Sequence, residues 1–268
     1  MQTESVNKIF GVALGVCLVC SVLVSVAAVS LSGIQAENAR VDKIKNILQA
    51  GDLYEKGGDV VAVYNSKIQP EIVNLATGEE LPASEQNGLL SIEGFDISKV
   101  AADKELGVAI PAEKDLPDIK RKPKYMPVYV VKNGDKLEKV IFPIYGRGLW
   151  STMYGFMALG SDLETIRGLT FYSHGETPGL GGEVDNPRWK EQWKGLEAYD
   201  DQGKVIITVI KGKVDRSKPD ANHMVDGLSG ATITTRGVNA LVKFWLGDEG
   251  YGPFLQKLRK EVADGEQV

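Results

Sequence analysis

Apolar residues run from Ile9 to Ile34 with no ionisable side chain except two cysteines. That is long enough to cross a bilayer, for which about 20 apolar residues suffice. Val41, Ile44, Ile47 and Leu48 continue at helical spacing as far as Gly51, so this helix is expected to run on beyond the apolar stretch before it stops. From Val60 to about Ala109, short apolar runs alternate with Gly, Asn and charged residues, and no chemistry is legible there. Pro111, Pro117, Pro123 and Pro127, interleaved with Lys114, Lys120, Arg121, Lys122 and Lys124, predict an extended charged connector. Residues 128–132 and 136–144 flank Asn133-Gly134-Asp135, a strong hairpin signal. Residues 155–159 and 166–173 predict further strands, and 196–199 with 204–211 a second hairpin around Asp200-Asp201-Gln202-Gly203. Val238, Leu241, Val242, Trp245 and Leu246 fall on one helical face. That helix is expected to begin near Thr234, capped by Thr234 or Thr235, and to end at Gly247, Gly250 and Pro253. Hairpins outnumber crossover helices, so the fold class is α+β, mainly antiparallel, behind one N-terminal transmembrane helix. The expected divisions are 1–36 for the tail and membrane helix, 37–124 for a membrane-proximal region and connector, and 125–268 for the principal domain.

A cleaved signal peptide is the alternative to a retained anchor, since Ser, Ala and Gly near the end of the run suit a peptidase. The apolar core exceeds the roughly 7–15 residues of a usual signal, which favours retention. The span contains no Asp, Glu, Lys or Arg, and a single apolar helix cannot itself carry an ion across a bilayer. Cys17 and Cys20 have Cys-x-x-Cys spacing but lie inside the span, where Cys is an ordinary small hydrophobe, and the chain has no third cysteine. The two histidines, His174 and His223, have no Cys or second His at ligand spacing, so no metal is expected. A net charge of -5 argues against nucleic acid and makes the basic connector a solvated loop. Neither a hydrolase elbow nor a Ser-His-Asp arrangement is present.

Candidate chemistry begins at Asp226-Gly227-Leu228-Ser229-Gly230-Ala231-Thr232, a hydroxyl-bearing glycine loop that leads into the amphipathic helix. Free N–H groups and the positive end of a helix dipole favour a phosphate at such a junction. Asp, Gly, Ser and Thr equally serve a tight loop and a cap, so the residues alone leave an anion site and a structural junction both open. It is neither a Walker loop nor a dinucleotide fingerprint. Two further segments are unusual for loops: residues 146–155, with Trp150 and Tyr154 among glycines, and 174–182, from His174 to Gly182. Glycines allow a flat ligand to approach the backbone, and loops at strand ends are where ligands bind. The two segments could wall a cleft, or be turns, as Pro178-Gly179 would suit.

Ser229-Gly230-Ala231-Thr232 behind Asp226 resembles the flavinylation motif of FMN-binding domains in the sodium-translocating NADH:quinone oxidoreductases and the related Rnf complexes. Residues 175–181, Gly-Glu-Thr-Pro-Gly-Leu-Gly, resemble that domain's second signature. The segments around Trp150, Asn186-Pro187-Arg188-Trp189 and Phe244-Trp245-Leu246-Gly247-Asp248 are more similar to the C-type flavoprotein family of the sodium-translocating enzymes than to its Rnf counterpart. The resemblance extends from the membrane helix to the C-terminal helix and implies that 125–268 is an FMN-binding domain. It implies FMN joined through its phosphate to Thr232, with Thr234 the nearest rival hydroxyl. Ser229, Gly230 and Ala231 would hold the phosphate, and Glu176, Thr177, Gly179 and Leu180 would line the ring. Trp150 or His174 would lie near enough to tune it, and Asp226 would be read by a flavin transferase. It implies an electron carrier in the bacterial inner membrane, working with the A, B, D, E and F subunits, with no complete active site of its own. The resemblance also implies a periplasmic domain, whereas Lys8 on one flank and Arg40, Lys43 and Lys45 on the other would by charge keep it in the cytoplasm. The G-type flavoprotein of an Rnf electron transport complex, with the same flavin, or a non-redox membrane-anchored binding module, are the alternatives.

Overall fold

The computed structural model describes residues 5–264; residues 1–4 of the expected tail and 265–268 of the principal domain lie outside the described residues. Two compact units divide between Lys43 and Ile44. The first consists of most of helix α1 (Val6–Ala50), the one helix among the described residues long and apolar enough to cross a membrane. Cys17 and Cys20 lie exposed along it.

The second unit is built on a five-stranded antiparallel sheet in the order β1-β4-β5-β6-β7. The chain reaches it through the end of α1 and α2 (Val60–Lys67), where Asp59 caps the N–H groups of Val61 and Ala62. β1 (Ile68–Asn74) follows, then α3 (Ile97–Ala102), β2 (Gly107–Ala109) and β3 (Arg121–Pro123). β4 (Tyr125–Asn133) and β5 (Lys136–Arg147) form the expected hairpin, closed at Asn133↔Lys136 with Gly134 at φ +62°. β6 (Thr152–Gly160) and β7 (Ile166–Ser173) complete the sheet. α4 (Pro187–Glu191), β8 (Thr208–Val209), β9 (Met224–Val225), α5 (Thr232–Leu246) and α6 (Gly252–Asp264) follow.

Period-two alternation gives the sheet two apolar faces. Val128, Val130, Val140, Phe142, Ile144, Met153 and Met157 share one buried cluster with Val238, Leu241, Val242 and Trp245 of α5. Tyr129, Val131, Ile141, Phe156 and Ala158 share the other with Ile44, Ile47 and Leu48 from the last two turns of α1. The central strand β5 is buried on both faces. Full burial of each such side chain contributes about 1.5–3 kcal/mol. Trp245 Nε1 donates to the Tyr145 carbonyl at 2.6 Å, fixing α5 to β5.

Several expectations change. β1 pairs with β4 along its full length, so the 37–124 stretch supplies an edge strand to the same sheet as 125–268. The connector is not a free loop: β3 pairs with β2, and Arg121 donates to the carbonyls of Ala101, Asp103 and Gly107. Lys114 and Lys122 both reach Glu249 beyond α5. The second hairpin reduces to one bridge, Tyr199↔Val205, because β8 pairs in parallel with β9 instead.

Candidate functional site

α5 starts at Thr232, two residues earlier than its apolar stripe suggests, because Thr235 N–H bonds back to the Ala231 carbonyl at 2.9 Å. Its N-cap is Ala231, with no side-chain cap bond, so Thr234 and Thr235 are not the caps they were expected to be. Both hydroxyls are engaged elsewhere. Thr234, with 0% exposure, donates to Glu176 Oε2, and Thr235 Oγ1 accepts the Leu228 N–H at 3.0 Å. Thr232 is exposed, and no hydrogen bond to its hydroxyl is found among the described residues. An uncapped first turn therefore presents N–H groups and one outward hydroxyl together.

Two glycine-bearing loops stand beside this turn. Residues 148–151 join β5 to β6, and 174–180 follow β7. Gly175 N–H donates to Ser151 Oγ at 2.6 Å, Trp150 Nε1 to Thr177 Oγ1 at 3.1 Å, and Trp150 N–H to Glu176 Oε1 at 3.0 Å. Glu176 thus joins both loops to α5. The space around it requires glycine: a Cβ on Gly148 would lie 2.5 Å from Glu176 Oε1, and one on Gly181 2.6 Å from Thr234 Oγ1. Burial pushes the Glu176 carboxyl up, but the Thr234 hydroxyl and the N–H groups of Trp150, Leu149 and Ser151 outweigh it and hold the group below the usual carboxylate range.

The remaining expected residues fall in two sets. Ser229 and Gly230 form an exposed turn, with Gly230 at φ +73°, where its missing Cβ would lie 2.9 Å from Leu180 Cδ2. Leu180 is 44% exposed, Trp150 64%, and Thr177 and Gly179 are exposed beside them. Ala231 is buried behind the turn. His174 and Asp226, by contrast, are held in the frame. His174 Nδ1 accepts the Glu176 N–H at 3.2 Å, and its Nε2 lies 2.8 Å from Asp185 Oδ2. Asp226 Oδ1 accepts the Val214 N–H at 2.8 Å, and its carbonyl accepts from Trp189 Nε1 at 2.8 Å. Glu176 also belongs to the frame, since its carboxylate oxygens are bonded within the protein.

Leu149, 39% exposed, and Ile233, 54% exposed, were not singled out in the sequence, although each is a large apolar residue in a polar, glycine-rich loop or helix start. With Trp150 and Leu180 they put apolar surface close to the uncapped turn. The arrangement fits a molecule with an anionic end and a flat apolar end, which is the chemistry of FMN. The Gly230 notch and the glycines around Glu176 provide the close approach. No group of three or more His, Cys, Asp or Glu side chains placed to hold a metal occurs among the described residues.

A family model described as an FMN-binding domain matches residues 148–247, the interval that contains all three pieces of the site. The chain is 47% identical over 263 residues to the C subunit of the Na(+)-translocating NADH-quinone reductase of Pseudomonas aeruginosa, covering 97% of this chain and 98% of the relative. It is 41% identical to the protein of the same name from Yersinia pestis, over 97% of this chain and 95% of that one. Among solved structures, that of NqrC from Shewanella oneidensis superposes with a TM-score of 0.74 at 34% identity, covering 83% of this chain and 99% of that chain.

Proposed function

The chain belongs to the NqrC family, the C subunits of the Na(+)-translocating NADH-quinone reductases, and from that premise we propose that it carries electrons on an FMN joined by a phosphoester to Thr232 Oγ1. One observation carries the choice among the threonines: Thr234 and Thr235 are buried and engaged, whereas Thr232 is exposed and free to react.

When bound, FMN supplies the redox chemistry, and the protein supplies position and electrostatics. The uncapped N–H groups of α5 receive the phosphate charge, with Ser229 and Gly230 shaping the turn and buried Ala231 fixing it from below. Trp150, Thr177, Gly179 and Leu180 offer the surface for the ring. Glu176 and His174 hold that surface in place from behind. Asp226 fixes the start of the loop that a flavin transferase would meet.

By this reading the protein passes electrons between redox centres on its neighbours, the A, B, D, E and F subunits, and depends on them for NADH and quinone chemistry. α1 anchors it in the bacterial inner membrane with the larger unit on the periplasmic side, a side that protease accessibility in intact spheroplasts tests directly.

Intact mass of the full chain coexpressed with the modifying enzyme should rise by one FMN less water. Thr232→Ala should stay at the unmodified mass and Thr234→Val should still be loaded. A loaded Thr232→Ala protein would overturn the assignment, and a folded wild type that never acquires flavin absorption would favour a non-redox binding module.

A further inference from the structure

Thr232 and Arg236 lie four residues apart in α5, hence on one face of the helix with Cβ atoms about 5–6 Å apart. A helical side chain tilts towards the N-terminus and covers the turn before its own Cα, so Arg236 is placed to reach back over the turn that carries Thr232. The opposite side of the same turns is occupied: Thr234 faces Glu176, Gly237 packs under the Arg147 carbonyl, and Val238 is fully buried. Arg236 is exposed and makes no hydrogen bond or ion pair among the described residues, although the chain carries 36 acidic residues.

We propose that Arg236 binds the phosphodiester on Thr232, its guanidinium meeting from the helix flank the anion that the N–H groups of the first turn meet end-on. The inference rests on the attachment at Thr232 and adds the side chain that gives the phosphate a fixed orientation. Guanidinium is suited to this because its planar fork donates two parallel bonds to phosphate oxygens. The first turn supplies only partial charge, whereas Arg236 supplies a full one at the only spacing in α5 that can reach back over Thr232 without crossing the buried face.

The test is a thermodynamic cycle on the detergent-solubilised full chain, with and without FMN loading, for wild type, Arg236→Gln and Arg236→Lys. Loading is scored first by intact mass: a wild type that takes up no FMN refutes the attachment at Thr232 and is read separately. In loaded samples, FMN should raise the Tm of wild type more than that of Arg236→Gln by about 1–3 °C. The difference should shrink at 1 M NaCl, where the Debye length is about 3 Å, and Arg236→Lys should fall between the two. A purely structural Arg236 would shift the loaded and unloaded proteins equally. Equal loading shifts in wild type and Arg236→Gln would overturn the proposal. A Gln variant that folds but is not loaded, where the Lys variant is, would support it.

Discussion

The Thr234 hydroxyl and the Glu176 carboxylate, 58 positions apart in the chain, are hydrogen-bonded inside the protein. The same carboxylate takes the backbone N–H of Trp150, so one side chain joins the start of α5 to both loops that wall the site. The bond also occupies the Thr234 hydroxyl, whereas that of Thr232 has no hydrogen-bond partner among the described residues. Their stability effects should therefore separate. Thr234→Val strands a buried carboxylate oxygen and should destabilise by about 1–3 kcal/mol, whereas exposed Thr232→Val should stay within about 0.5 kcal/mol of wild type. Urea unfolding of the unloaded protein measures both.

Glu176→Gln should weaken the protein at neutral pH and lose that effect in acid. The folded carboxyl titrates below its ordinary range, so its contribution is fully present above the unfolded value and is lost as the pH falls through the lower folded one. Thermal unfolding at pH 7 should show the Gln variant below wild type by about 1–3 kcal/mol, and the two should converge as the pH drops beneath the carboxylate range. A gap that persists unchanged in acid would contradict the ionised state of Glu176.

Glu71 on β1 should behave in the opposite sense. Burial, with Glu80 and Glu261 adding to it and Lys132 opposing, raises its carboxyl from 4.5 to about 7. A raised folded pKa means stability present below the unfolded value and lost as the pH rises through the folded one. Glu71→Gln should thus match wild type near pH 4 and become the more stable protein by pH 8. The conversion of pKa units to free energy sets an upper bound of about 3 kcal/mol on the gain. The gain should grow between those limits and level off above them, which a pH series of melting curves would show.

Gly237→Ala should destabilise although Ala is the better helix former by about 1 kcal/mol. Its Cβ would run into the Arg147 carbonyl at the end of β5, 2.3 Å away. Overpacking of this kind costs about 1–3 kcal/mol. Calorimetry of the unloaded variant against unloaded wild type checks it.

The hairpin at Asn133-Gly134, the strands β6 and β7, and the apolar stripe of α5 were legible in the sequence because each is a local pattern. The start of α5 was not, since a rule that gives threonines to caps knows nothing of a glutamate far upstream. The resemblance implied a ring-lining role for Glu176, but a motif does not show that both carboxylate oxygens are taken by Thr234 and Trp150. β8 and β9 are two residues each and pair in parallel across a long excursion, too short for any periodicity. The FMN-binding domain, by contrast, was legible through resemblance, and the structure adds that Thr232 is exposed beside two buried threonines.

The last two turns of α1 plug one face of the sheet with Ile44, Ile47 and Leu48, and β7 carries Gly168 where a Cβ would collide with the Ala50 carbonyl. Anyone trimming the greasy leader to obtain a water-soluble preparation should therefore cut ahead of Val41 and leave the plug in place. A cut at Gly51, the obvious seam in the sequence, would lay Tyr129, Ile141 and Phe156 open to water, and such a preparation should clump rather than crystallise.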